Sequence, residues 1–216
     1  GSIPGLVDEA SYDTLYLQFL LWLNLPPLMV APLNLVWWTL PVELSFYLLL
    51  PLLGWCAGFI NWRVLLLSSL LITLAWRFLI FSTAEVDNYV SILPVLDSLL
   101  GTLFTFMLGF SLNFLPDVIT VEQRQKGIII GLLFLMGLMQ WQLHMDAVYW
   151  SGHWILVVWP PLVALAIAVL VYHLKDPLPS MAWLSSQFLV WLGHISFGIY
   201  LWHFQVMRVM VLLFPD

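Results

Sequence analysis

The stretch NLVWWTLPVELSFYLLLPLL, residues 34–53, decides what kind of molecule this is. It is almost wholly apolar, yet it sets Pro41 and Glu43 two residues apart. The rest of the chain says which solvent such a run faces. Of 216 residues, 62% are hydrophobic and 8% charged, and the mean hydropathy is +1.00. A soluble domain carries roughly 25% charged residues. This chain therefore lacks the polar side chains to cover a wet surface, whereas a surface facing lipid needs none. Its 13 tryptophans and 7 tyrosines fit that setting, because amphipathic rings collect at membrane–water interfaces. The net charge of −6 comes from few residues, and 6 Lys and Arg leave a nucleic-acid partner no electrostatic footprint. A single cysteine, Cys56, excludes an intramolecular disulfide.

A spanning helix needs about 20 mostly apolar residues. On that measure the sequence predicts an all-α, polytopic membrane helix bundle with about six spans, at 40–59, 63–81, 92–115, 127–144, 154–172 and 188–214. The fourth is short and glycine-rich. Residues 12–33 are apolar too, but Asn24 and the Pro26-Pro27 pair interrupt them, since proline removes a donor and clashes with the preceding turn. They read as an interfacial or re-entrant segment, with a seventh, broken span as the alternative. Residues 176–189, DPLPSMAWLSSQFL, suit an amphipathic stretch on the membrane surface. With no repeat and no long linker, residues 1–216 read as one domain, 1–37 as an outer interfacial segment and 38–216 as the bundle. No signal peptide is visible, and the opening Gly-Ser-Ile-Pro reads as the interior of a longer protein.

Lys and Arg in the loops orient the spans. Arg63, Arg124, Lys126 and Lys175 fall in loops that share one face, taken as cytoplasmic. Residues 82–91 and 145–153, on the other face, carry Glu85, Asp87 and Asp146 and no Lys or Arg. Arg77 and Arg208 are the exceptions. Asp97, at the start of the third span, is expected to cap it or to pair with Arg77 across the outer surface.

Glu43 has two readings. If Thr39 supplies the N-cap and Pro41 stands at the first helical position, Glu43 falls in the first turn, where the helix dipole favours an acid by ~0.3–1 kcal/mol. The other reading starts from cost. A carboxylate in hydrocarbon is expensive and normally faces a bundle interior or a wet cavity. Glu43 and Tyr47 are four residues apart and share a helix face, so this polar pair is expected to point toward protein.

A second constellation is WLGHISFGIYLWHFQV, residues 191–206. Ser196, Tyr200 and His203 stand at i, i+4 and i+7, which aligns hydroxyl, phenol and imidazole in one stripe. Gly193 and Gly198 would admit a close helix neighbour. His203 lies well inside a span and is either a hydrogen-bonding strut or part of a site. His144, His153, His173 and His194 lie near the surfaces, and none has metal-ligand spacing. No metal site, phosphate-cradling loop or nucleophile elbow is visible.

These two stretches carry a resemblance. WTLPVELSFYLLLPLL (38–53) resembles the W-S-L-x-x-E-x-x-F-Y-x-x-x-P-L-L signature of acyltransferase family 3, the integral-membrane enzymes that acylate carbohydrates at bacterial surfaces. LGHISFGIYLWHFQV (192–206) is similar to the family's late signature, L-G-x-I-S-Y-x-x-Y-L-x-H. Thr39 stands where the family usually has serine, Phe197 where it has tyrosine, and Gln205 where proline is common. The family's early helix with its arginine and histidine, and the arginine-rich stretch after it, have no counterpart here. The chain is thus expected to be the middle and late part of a larger domain, with the main base elsewhere.

The resemblance implies transfer of an acyl group, commonly acetyl, from acyl-CoA on the cytoplasmic side to a hydroxyl of a carbohydrate or glycan, in a bacterial inner membrane. No bound cofactor is implied. Catalytic roles would fall to Glu43 and His203, and substrate-binding roles to Trp38, Tyr47, Ser196 and Tyr200. Glu43 would orient the acceptor hydroxyl or hold an arginine of another helix, and His203 would donate to the acyl carbonyl or stand behind the groups that do. Two rivals remain at this stage: a transport-related protein that moves a glycolipid or acyl carrier along the same polar stripes, and an inactive membrane scaffold.

Overall fold

The computed structural model describes residues 39–83, 95–116, 120–145, 154–176 and 178–214. The segment at 12–33 and Trp38 lie outside the described residues. Every regular element among the described residues is helical: α1 (Thr39–Ala57), α2 (Trp62–Thr83), α3 (Leu99–Ser111) with a 3-10 turn at Leu112–Phe114, α4 (Val121–His144), α5 (Ile155–Leu174), a second 3-10 segment at Pro179–Ser185, and α6 (Gln187–Leu213). Among the described residues, five helices are long and apolar enough to cross a membrane: α1, α2, α4, α5 and α6. The all-α membrane bundle therefore stands, with a difference at the third expected span. There α3 has 13 residues, about 20 Å of helix, against a hydrocarbon core of about 30 Å. The chain leaves the helix at Ser98, whose backbone is extended, and restarts at Leu99.

Contacts divide the chain into two units: residues 46–176, and residues 1–45 with 177–216. Within the first unit, α2, α3 and α5 share an apolar core. Phe104 and Leu108 of α3 and Ala168 of α5 pack against Leu66 and Leu70 of α2 and Ala164 of α5. Phe46 of α1 stacks on Phe106 of α3 at 4.4 Å between ring centroids. The α4–α5 pair closes on small residues. A methyl group at Gly127 would run into the His173 ring, and one at Gly131 would meet Leu170 at 2.7 Å.

Polar groups then hold what apolar packing cannot specify. Thr73, Trp76 and Arg77 stand at i, i+3 and i+4 of α2, one helix face. The Thr73 hydroxyl donates to the Leu100 carbonyl and accepts from the Phe104 N–H, both at 3.0 Å, so it inserts itself into the α3 ladder. The Trp76 indole donates to the Val95 carbonyl at 3.0 Å. Arg77, 1% exposed, satisfies the break in the third span. Its guanidinium donates to the Leu96 and Gly101 carbonyls at 3.2 Å, to Asp97 Oδ1 at 2.7 Å, and twice to the Leu156 carbonyl at 2.9 and 2.7 Å. The last contact has a covalent cause. Four residues after Leu156 comes Pro160, inside α5, which has no N–H to give that carbonyl. Buried backbone acceptors are nearly always paired, and here a cation from another helix does it.

The expected Arg77–Asp97 pair thus forms, but in the interior of the bundle rather than across an outer surface. Gly101 belongs to the same arrangement, because a Cβ there would collide with the Leu96 carbonyl. The Ser98 hydroxyl beside them is buried without a hydrogen-bond partner among the described residues.

Two other boundaries move. Arg124 and Lys126, expected in a loop, lie inside α4, which starts at Val121 because Thr120 and Gln123 form a reciprocal capping box. The expectation that the basic residues share one end holds within this unit. Trp62, next to Arg63, stacks near Phe114 at 6.1 Å. Tyr172 donates to the Pro116 carbonyl at 2.7 Å. Arg124 pairs with Asp176, the neighbour of Lys175, at 2.6 Å. Arg77 lies 14 residues along α2 from Arg63, about 21 Å away by helical rise.

Candidate functional site

In α1, helix is already formed at Thr39, the first described residue, so Thr39 is not the cap and Glu43 is not in the first turn. The dipole effect fades beyond that turn, and the helix-dipole account of Glu43 weakens with it. Glu43 is half-buried, and none of the ion pairs among the described residues involves it. Ser45, two residues on, turns its hydroxyl back onto the Pro41 carbonyl at 2.7 Å. Further along α1, Tyr47 is 61% exposed in its own unit. The expectation that Glu43 and Tyr47 both point inward is met by neither a shared partner nor burial of Tyr47. The packed position one residue earlier belongs to Phe46, and a helix turns about 100° per residue.

In the unit that holds residues 39–45 and α6, the two signature stretches meet. Thr39 Oγ1 and the Tyr200 hydroxyl are 2.9 Å apart. The Tyr200 carbonyl is 2.7 Å from His203 Nδ1. A carbonyl can only accept, so Nδ1 carries the proton, and in the neutral ring Nε2 keeps the lone pair. The Tyr200 and His203 rings lie 6.0 Å apart at 39°. Ser196 is occupied locally, donating to the Gly193 carbonyl at 2.7 Å.

A shallow, open groove of about 680 Å³ lies along one face of α6, and its lining residues, His194, Gly198, Ile199, Trp202, His203 and Val206 among them, all belong to that one helix. Of the expected stripe, His203 lines this groove, while Ser196 and Tyr200 stand beside it. No residue of α6 is buried. Gly193 and Gly198 meet no close neighbour among the described residues of their own unit. Among the described residues no three His, Cys, Asp or Glu side chains gather to hold a metal.

The structure therefore brings Thr39, Tyr200 and His203 together within one unit. Thr39 was read from the sequence only as a cap. Its partner Tyr200 lies 161 residues away, and the one signal that links them is that each sits in a signature stretch. Neither the curated proteins nor the solved structures yield a match to this chain. A family model described as an acyltransferase domain matches residues 4–216. That span takes in both signature stretches and every helix between them, so this integral membrane chain is a member of acyltransferase family 3.

Proposed function

We propose that this chain carries out O-acyl transfer in the membrane, from acyl-CoA, acetyl-CoA first among them, to a hydroxyl of a carbohydrate or glycan. The observation that supports it best is the Thr39–Tyr200 hydrogen bond, which joins the two family signatures and sets His203 beside a groove. With Nδ1 held by the Tyr200 carbonyl, neutral His203 has no second N–H to donate to the acyl carbonyl, so in this reading, in place of a base elsewhere, His203 Nε2 takes the proton of the acceptor hydroxyl. The oxygen attacks the thioester carbonyl, the C–O bond forms and the C–S bond breaks. The proton then passes from Nε2 to the leaving thiolate, giving free CoA. Glu43, with no ion-pair partner among the described residues, orients the acceptor as a hydrogen-bond acceptor. Trp38, Tyr47 and Ser196 remain the proposed substrate-side residues, and Tyr200, whose hydroxyl is engaged by Thr39, stands behind them. Arg63, Arg124, Lys126 and Lys175 at one end favour that end as cytoplasmic, the side on which acyl-CoA is available, and a bacterial inner membrane is the setting.

The test uses membranes containing the native protein, acetyl-CoA, and surface polysaccharide of the producing cell, with free CoA followed by a thiol reagent. Acceptor-dependent CoA release that is lost in His203→Ala supports the reading. Release that ignores both the acceptor and His203 overturns it.

A further inference from the structure

Hydroxyls on membrane helices usually bond back to their own backbone, three or four residues earlier. This chain does so at Ser45, Ser69, Ser111 and Ser196. Thr39, like Thr73, reaches another helix, and there its hydroxyl meets the phenol of Tyr200. Tyr200 in turn contacts His203 in two ways. Its carbonyl holds the Nδ1 proton, and its ring lies beside the imidazole. One chain of contacts thus runs from the Thr39 hydroxyl through the Tyr200 side chain and backbone to the ring that borders the groove. Among the described residues of its own unit α6 buries no side chain, so apolar packing there does little to fix its rotation or its height, and apolar contacts are in any case non-directional. A hydrogen bond is directional, and in a low-dielectric setting it is stronger than in water.

We propose that Thr39 and Tyr200 are positioning residues for His203. Their hydrogen bond sets the rotation of α6, and the Tyr200 carbonyl selects the tautomer that leaves Nε2 as the acceptor. The inference rests on the acyl-transfer reading above, because it assigns Nε2 a proton to receive. It adds a specific demand: the bond between the two signatures acts on the chemical step and not on the affinity for acyl donor.

The experiment is a double-mutant cycle in the native protein in its membranes, with acetyl-CoA as donor and the surface polysaccharide as acceptor. The variants are Thr39→Val, Tyr200→Phe, the pair together, and Thr39→Ser. Ser45→Ala is the control, because its hydroxyl is spent within α1. A misplacement on the order of 1 Å costs up to about 100-fold in rate, so kcat should fall between about tenfold and 100-fold in Thr39→Val and in Tyr200→Phe. The double variant should be no slower than the worse single, since one bond is lost in all three. KM for acetyl-CoA should stay within about twofold, as expected when only the chemical step is affected. Thr39→Ser should recover kcat, and Ser45→Ala should never lose it. Tyr200→Phe keeps the ring and carries the same test if Thr39→Val fails to accumulate. Full kcat in the single variants, or losses that simply add, overturns the positioning role while leaving acyl transfer standing. Absence of acceptor-dependent CoA release by the wild type overturns acyl transfer and this inference with it.

Discussion

Replacing Arg77 with leucine should strongly destabilise this protein, and the structure says by how much. Arg77 is 1% exposed and donates five hydrogen bonds, while its ion-pair partner Asp97 is 25% exposed. Removing one member of a buried pair costs about 3–5 kcal/mol, and the partial exposure of Asp97 puts the charge contribution at the low end. The Leu156 carbonyl then has no donor, because Pro160 lacks one, and the Leu96 carbonyl is stranded at the helix break. Each buried orphan costs about 1–3 kcal/mol. The sum is about 5 kcal/mol or more, comparable to the whole stability of an ordinary domain. For a chain of this size about 2–4 °C accompanies each kcal/mol, so the unfolding temperature should drop by about 10–20 °C. Thermal unfolding in detergent, read by loss of the monodisperse peak on gel filtration, measures it. Arg77→Lys should fall between, since an ammonium has three donors and no planar fork. Asp97→Asn, which keeps an oxygen for Arg77, should be the mildest. An Arg77→Leu protein that unfolds within a degree or two of wild type would refute the account, and so would an Asp97→Asn protein that is the worst of the three.

Three further outcomes are expected. Glu43→Gln keeps the shape of the side chain and removes its charge; it should lower acceptor-dependent CoA release while leaving the amount of protein in the membrane unchanged, and unaltered turnover would remove Glu43 from the site. Gly127→Ala forces a methyl group into the His173 ring and should lower the unfolding temperature by overpacking, a penalty of about 1–3 kcal/mol; adding His173→Ala should recover part of the loss, and a purely additive double variant would contradict the contact. Cysteines introduced next to Arg63 and Lys175, in a Cys56→Ser background, should react with an impermeant thiol reagent from the same side of the membrane; labelling from opposite sides would break the shared basic end.

The apolar runs were legible in the sequence because a bilayer leaves a spanning backbone few alternatives to helix, and composition alone named the solvent. Five of the six expected spans appear as long apolar helices among the described residues. The third differs at Asp97 and Ser98, where an apolar average hides a break that two polar residues and a distant guanidinium allow. The two signature stretches were legible as well, and Glu43 and His203 are conspicuous in them, since a carboxylate and an imidazole stand out in hydrocarbon. Their neighbours were harder. Tyr47 shares the helical face of Glu43 by spacing but is 61% exposed in its unit, because spacing fixes an angle on a helix and not what stands opposite it. Thr39 read as a cap because the local rules know only local partners.

What the sequence by itself determined is the membrane, the helices, the end that collects the basic residues and the family, all of which follow from local composition and short motifs. What the tertiary structure decided is which polar groups meet: Arg77 with the carbonyl that Pro160 leaves unpaired 79 residues away, and Thr39 with Tyr200 across 161 residues. The reason is physical. Burial in lipid is non-directional and can be read from side-chain type alone, whereas a hydrogen bond needs two partners at a defined distance and angle, and only the folded chain supplies the second one.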